Sequence, residues 1–430
     1  MTHTESAVTE EFLHFVWEQR LFRSEGLKTI SGDHLEILEP GTLNGDSGPD
    51  FFNARVRING TLWAGNIEIH RMSSDWYRHR HQDDPCYDNI ILHVVHRCDQ
   101  QVLRSDGQEI PTLVLPVPAH VLDGFSELMR SRLRIPCQDK IRDTDVFMLK
   151  IGFNRLMVER LQEKTGEINN MLEQNRHDWK EAFYQVLARS FGLKVNAVPF
   201  ELLAKAMPEP ILGKHRDNLR QTEALLFGQS GLLHLELLGD DYFLNLRSEY
   251  EFLSKKYHLQ PLSGHLWKFM RTRPVNFPTI RIAQFAALIH KNGSLFSLLD
   301  DQMTLAGLKE RFQVCASPYW NNHYRFSQVS GNSCKHLGEK AVESLIINCL
   351  APFLFVYGEQ TGKQALKDKA LEWLDQIAPE ENAVVREWEE TGVKATSAFE
   401  TQALLQLRNR YCEQKRCLHC HIGTRLIKNG

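Results

Sequence analysis

The apolar positions of this chain change period part-way along, and that change organises it. Near the start, Phe12, Val16 and the Phe15 and Trp17 pair recur at helical spacing. Thr9 stands where a hydroxyl can cap the first turn, so a helix is expected from Glu10 to about Phe22. His34 to Leu38 alternates weakly until Pro40 and Gly41 break it. Asp50 to Ile58 then alternates with Phe52, Ala54, Val56 and Ile58 on one face. Asn59-Gly60 suits a two-residue type I′ turn, which needs positive φ at both positions, and so predicts a hairpin. Its second arm, Thr61 to Arg71, places Asn66, Glu68 and His70 on one face and Trp63, Ile67 and Ile69 on the other. Ser73-Ser74 can cap a short helix from Asp75 that ends before Asp84-Pro85. Ile90 to Val95 is nearly all apolar, as a strand covered on both faces requires, and residues 111–115 supply one more strand.

Beyond Pro116 and Pro118 the period becomes helical, in segments such as 147–173, 179–192, 200–206 and 280–291. Glu381 to Arg410 reads as one long amphipathic helix before a cysteine-rich tail. A break at Arg271 to Pro278 separates two helical stretches, which gives three expected domains: 1–116, 117–270 and 271–430. The fold class is therefore α/β (α+β): an N-terminal domain with a small mixed sheet, then a mainly α-helical region.

Charge adds a constraint. Lys and Arg number 51 against 54 Asp and Glu, so no global field draws the chain to nucleic acid or anionic lipid, and such contact must come from local patches. The first residues, MTHTESAVTEEF, lack the basic-then-apolar order of a secretory leader, which points to a cytoplasmic protein. The apolar run Leu345 to Tyr357 is interrupted by Asn348 and Pro352 and falls short of the roughly 20 residues that cross a bilayer, so no membrane span is expected. Nine cysteines, an odd count, suit thiols or metal ligands in a reducing compartment better than a disulfide framework.

Candidate chemistry concentrates between Gly48 and His96, where His70, Asp75, His79, His81, Asp83, Asp84, Asp88, His93 and His96 crowd together. Carboxylates are natural ligands for Mg²⁺ or Mn²⁺, and the hairpin offers Asp50 and Glu68. Counting back from the turn, Asp50 lies opposite Ile69, which sets the Asp50 and Glu68 backbones roughly 5 to 7 Å apart. A regular ladder would point the two side chains to opposite faces, so a bulge is required, and Gly48-Pro49 is the expected place for it. Asp75 and His79 share a helix face, and His79 or His81 can reach the carboxylates. His93, inside an apolar strand, reads as a core residue, as do Trp63 and Trp76.

Helix, strand, a hairpin bearing Gly48-Pro49-Asp50 and Glu68-Ile69-His70, then helix and buried strand, resembles the core of the PD-(D/E)XK (restriction-endonuclease-like) nuclease superfamily. The resemblance implies that Asp50 and Glu68 bind a divalent ion, and that His70 stands where the superfamily has a lysine, orienting the attacking water or completing the metal shell. An imidazole there shifts the preference from Mg²⁺ toward Mn²⁺ or Zn²⁺. Over its whole length the chain also resembles an uncharacterised bacterial domain-of-unknown-function family, through GPDFFNARVRI, GNIEIH, SDWYRHRH and NIILHVV. That family implies no activity.

Two further features stand apart. Cys412, Cys417 and Cys420 have the gap of a metal knuckle and can bind zinc or an iron–sulfur cluster, with His419, His421 or the distant Cys334 near His336 as a fourth ligand. WKFMRTRPVNFPTIR interleaves Lys268, Arg271, Arg273 and Arg281 with Trp267, Phe269 and Phe277, and YWNNHYRF repeats the theme, as contact with nucleic acid requires. Walker, dinucleotide, G-x-S-x-G and H-E-x-x-H patterns are absent from the sequence. The sequence thus points to a divalent-metal-dependent nuclease or phosphodiesterase. A non-catalytic scaffold that binds nucleic acid or protein, and a His-rich zinc hydrolase of another substrate, are the competing readings.

Overall fold

The structure is a computed structural model that describes residues 8–141, 146–234 and 239–429. Thr9 Oγ1 accepts the Phe12 N–H at the start of α1 (Glu10–Glu18), whose Phe12, Leu13, Phe15, Val16 and Trp17 are buried. The strands are β1 (Leu35–Glu39), β2 (Thr42–Leu43), β3 (Phe51–Ile58), β4 (Thr61–Met72), β5 (Ile90–Arg97) and β6 (Thr112–Val114). They form one mixed sheet in the order β1-β3-β4-β5-β6, with β2 beside β3. The β3–β4 turn has Asn59 at φ 48° and Gly60 at φ 85°, the left-handed pair that a type I′ hairpin demands. β4 and β5 run parallel, joined through α2 (Asp75–Arg78) and two short 3₁₀ turns. Parallel neighbours on both sides leave Ile90 to Val95 wholly buried.

The chain divides into two compact units. One comprises the described residues of Met1–Gly152, Arg386–Lys394 and Leu404–Gly430, and the other those of Phe153–Val385 and Ala395–Ala403. The positions 116 and 270 expected as boundaries fall inside these units. After the sheet, α3 (Ala119–Arg130) stays in the first unit and packs on the C-terminal helix His421–Asn429, where a Cβ at Gly124 would lie 3.6 Å from the Ile427 backbone. Local periodicity carries no signal of a segment returning from the far end of the chain.

The second unit is helical. Its core includes the almost fully buried helix Pro278–Asn292 and the helices Trp179–Phe191 and Ala351–Gln360. The run Glu339–Gln360 is long and apolar enough to cross a membrane, yet 72% of its most apolar window is buried inside the fold. The single helix expected over Glu381 to Arg410 is instead two, Ala383–Glu390 and Ala398–Leu407. Thr391 Oγ1 turns back to the Trp388 carbonyl and Gly392 takes φ 90°, which closes the first of them.

Candidate metal centre

A one-residue irregularity builds the site. Phe51 pairs with Ile67 but Ala54 pairs with Gly65, so β3 spends three steps where β4 spends two. The extra residue lies at Phe52-Asn53, with Asn53 at φ 59°, and not at Gly48-Pro49 as expected. The bulge turns Phe51 into the core in place of Phe52 and carries Asp50 round to face Glu68. The Asp50 N–H donates to Glu68 Oε2 at 3.1 Å, and the Ile69 N–H donates to Asp50 Oδ2 at 2.9 Å.

Two imidazoles face the other Glu68 oxygen, and a third joins them. His70, two residues along β4, sets Nε2 3.5 Å from Glu68 Oε1, and His81 sets its Nε2 3.2 Å from the same atom. His79 Nδ1 stands 3.2 Å from His70 Nε2. Residues two apart on a helix face away from each other. Here α2 ends at His79, Arg80 adopts the left-handed conformation at φ 61°, and His81 returns to the same side. The ligand atoms of His70, His79 and His81 all lie within 4.8 Å of one another.

His93 serves this cluster from the core. On β5 it is completely buried, and its Nε2 lies 2.9 Å from His70 Nδ1. For His70 Nε2 to offer a lone pair, the His70 proton must sit on Nδ1 and be donated to His93, which fixes the ring as a carboxylate or carbonyl does at metal sites. Trp76 and Tyr87 wall the pocket, with Tyr87 stacked on His81 at 3.8 Å.

The site is electrostatically unbalanced without a cation. Burial, then the charge of Asp50, pushes the Glu68 carboxyl up to about 9. Burial, then the neighbouring histidines led by His93, pushes His70 down to about 2, and burial lowers His93 to about 3. His81 Nε2 is buried and makes no directed hydrogen bond despite its nearness to Glu68. An orphaned imidazole nitrogen beside a carboxyl that burial forces to keep its proton fits a divalent ion, which would take the place of that proton and satisfy both.

One participant escaped the sequence reading. His14, on α1, sets Nε2 3.1 Å from Asp50 Oδ2. Burial lowers its pKa, but the Asp50 hydrogen bond and charge outweigh that and raise it. Glu10 acts electrostatically on both His14 and Glu68, and the Glu10/His14 spacing of four was the available signal. Asp75, by contrast, caps its own turn by accepting the Met72 N–H and pairs with Arg78. Trp76 is core as expected, whereas Trp63 is 43% exposed at the outer end of β4.

Other expected residues scatter. Lys268, Arg271 and Arg273 are exposed, but Arg281 is buried, held by Asn276 Oδ1 at 2.7 Å and Gln284 Oε1 at 3.3 Å, and so offers no phosphate contact at the surface. The interleaved rings are packed: Trp267 donates to the Ser230 carbonyl, and Phe269 and Phe277 lie under Arg325. Trp320 of YWNNHYRF is core. Cys412, Cys417 and Cys420 are buried in the first unit. Cys334 belongs to the second unit and is paired with Cys315, Cα atoms 6.6 Å apart, so neither is the thiol expected of it. His419 reaches Glu11, and His421 reaches the Leu149 carbonyl.

With this geometry in place, comparison with known proteins places the chain. The family described as Protein of unknown function (DUF2851) matches residues 10–383. The chain belongs to that family. No curated protein and no solved structure matches it. The match takes in every residue of the His and carboxylate cluster and ends before the cysteine tail. For this DUF2851 member, the PD-(D/E)XK core implied by the sequence finds no support among the comparisons.

Proposed function

We propose that this DUF2851 protein is a metal-dependent hydrolase of phosphodiester bonds in nucleic acid, with its ion held by His70, His79, His81 and Glu68. The observation that carries the reading is the convergence of three imidazoles, their ligand atoms within 4.8 Å of one another, with two of them facing Glu68 Oε1. A donor set this rich in imidazole favours Zn²⁺ or Mn²⁺ over Mg²⁺. A divalent ion there supplies Lewis acidity toward a phosphoryl group and lowers the pKa of water toward neutrality.

The chain's own residues complete the chemistry. Glu68 and His70 hold position through Asp50 and His93. Asp50 faces His14 Nε2 and holds that imidazole, with its proton, beside the cluster. His79 is exposed, which opens the cluster to a substrate, and the exposed Arg71, Arg78 and Arg80 around it favour an anionic one. Lys268, Arg271 and Arg273 are exposed cations of the helical unit, close together in sequence and suited to phosphates.

The test is metal analysis of the full chain, followed by cleavage of labelled single- and double-stranded DNA and RNA with Mn²⁺, Zn²⁺, Mg²⁺ or EDTA. Wild type should cut in a metal-dependent way, and His79→Ala/His81→Ala should lose both metal and cleavage. Cleavage that survives in that variant would refute the assignment of the site. A metal-loaded protein that cuts no substrate would refute the hydrolase reading and leave a metal-binding scaffold.

A further inference from the structure

The helical unit holds a cleft of about 450 Å³, within the size range of small-molecule sites. Arg281, in the first turn of the helix Pro278–Asn292, forms part of its wall. Asn276 Oδ1, at the end of the 3₁₀ turn Pro274–Asn276, accepts from Arg281 Nη2 at 2.7 Å, and Gln284 Oε1 accepts from Nη1 at 3.3 Å. Gln284 Nε2 in turn donates to the carbonyls of Lys335 and His336 at 3.2 and 3.1 Å, which braces the guanidinium against the segment 333–336. That segment is fixed from its other side, because the Ala316 N–H donates to the Lys335 carbonyl and the Leu337 N–H to the Val314 carbonyl.

The positive charge at this wall has no counter-charge. Arg281 is 6% exposed and Lys335 4%, and among the described residues neither meets a carboxylate. Lys335 Nζ donates to the Asn321 and Ser333 carbonyls and to the Ser333 hydroxyl, all of them neutral. The lining adds the exposed Lys340 and His336 and, among the described residues, contains no Asp or Glu. Lys340 pairs with Glu381 at 3.1 Å, but both side chains are more than four-fifths exposed, where such a pair is weak. The neighbouring Glu339 and Glu343 pair instead with Lys309.

The usual partner of a buried arginine is a carboxylate, since an unpaired buried charge opposes folding. Here the guanidinium uses two of its five N–H donors on amides, and its Nε is buried without a partner. Burial pushes it down to about 10 with no neighbouring charge to oppose the fall, so it remains a cation at neutral pH. The rest of the wall is largely apolar, from Leu193, Val275, Ile280 and Ala341. We propose that this cleft binds a small amphiphilic oxyanion, with a carboxylate or phosphate head on the Arg281 fork and an apolar body against those four side chains. Either head matches the paired donors of a guanidinium, and the charges of Lys335 and Lys340 add to the attraction. The cleft lies within the helical unit, and its occupancy stands or falls independently of the hydrolase reading.

Isothermal calorimetry of the full chain with hexanoate and with hexyl phosphate tests this against inorganic phosphate and hexan-1-ol, each of which supplies only one half of the ligand. At least one hexyl oxyanion should bind about ten-fold or more tightly than either control, and the tighter of the two names the head group. Arg281→Met should lower that affinity by about ten-fold or more while circular dichroism stays at the wild-type spectrum. Arg281→Lys, which keeps the charge but not the fork, should fall between. His79→Ala/His81→Ala should bind as wild type does. Should Arg281→Met fail to fold, Leu193→Glu, which sets a carboxylate in the partly buried wall, should give the same loss. Binding of neither hexyl oxyanion, equal binding of hexan-1-ol, or undiminished affinity in the folded Arg281→Met or Leu193→Glu variant would each overturn the proposal.

Discussion

Asp50 and Glu68 hold one another at the mouth of the β3–β4 hairpin: Glu68 Oε2 accepts the Asp50 N–H at 3.1 Å, while Asp50 Oδ2 takes the N–H of Ile69, the residue next to Glu68. This exchange leaves Glu68 Oε1 facing the histidines and turns Asp50 toward His14. The two carboxylates therefore have different tasks. On the proposed reading Glu68 presents a ligand, and Asp50 positions both that carboxyl and His14.

Substitution should separate those tasks. Glu68→Gln removes the charge that an ion would neutralise and should cost more than 10–100-fold in metal affinity, the range found when a group supporting a ligand is lost. Asp50→Asn should fall within about that range and abolish hydrolysis. Isothermal calorimetry with Zn²⁺ and Mn²⁺ reads both, and wild-type affinity in Glu68→Gln would remove Glu68 from the ligand set.

The bulge makes a second prediction. Asn53 holds φ 59°, a conformation that asparagine tolerates and β-branched residues do not. Asn53→Gly should be close to neutral, whereas Asn53→Val should cost about 1–3 kcal/mol. Deleting Asn53 restores regular alternation and should swing Asp50 away from Glu68, so metal binding is lost although the hairpin persists. Urea denaturation and metal titration of the three variants check this, and a deletion that still binds metal normally would show that the bulge does not build the site.

The same position shows what could be read in the sequence. Alternation over Ala54 to Ile58 and the Asn59-Gly60 turn specify the hairpin locally, and the Thr9 cap likewise starts α1. The need for a bulge followed from counting pairs, but its place did not, because Phe51 and Phe52 are both apolar and either could face the core. His70, His79 and His81 were visible as a dense set, yet their convergence depends on the left-handed turn at Arg80, which no residue there announces. His14 was out of reach for another reason. It is a lone residue whose partner, Asp50, arrives only through tertiary packing against the sheet. Arg281 misled because an interleaved basic and aromatic pattern looks alike whether its rings stack on bases or on each other.

Arg281 and its neighbours give a third prediction. If Lys268, Arg271 and Arg273 bind phosphates, replacing all three by alanine should lower the slope of log affinity against log salt by about 2–3, near 0.7–0.9 for each phosphate no longer neutralised. Arg281→Met should leave that slope unchanged. It should also leave stability unchanged or raise it, because a guanidinium buried against amides alone gains little from its charge. Fluorescence titrations of labelled oligonucleotide at several salt concentrations decide the matter, and an equal slope change in Arg281→Met would place that residue at the interface after all.

In the metal-free protein the histidine and carboxylate cluster should contribute most to stability near pH 6.5, and the reason lies in opposed titrations. Glu68, raised to about 9, keeps its proton in the fold while the unfolded chain loses it near 4.5, so its contribution is full below 4.5 and is lost as pH rises toward 9. His70 and His93, lowered to about 2 and about 3, stay neutral in the fold while the unfolded chain protonates them below 6.5. Their contribution is full above 6.5 and is lost as pH falls. Between 4.5 and 6.5 the two histidines outweigh the single glutamate and stability rises with pH. Above 6.5 the glutamate slope remains, joined by His14, whose raised pKa gives the same sign, and the contribution declines. Denaturant midpoints measured in EDTA from pH 4 to 9.5 should trace that maximum, and Glu68→Gln should flatten its alkaline side. Bound zinc should displace the Glu68 proton, remove the alkaline decline and make the gain in stability on metal addition grow with pH. An alkaline side that persists unchanged in Glu68→Gln would mean that another group carries it.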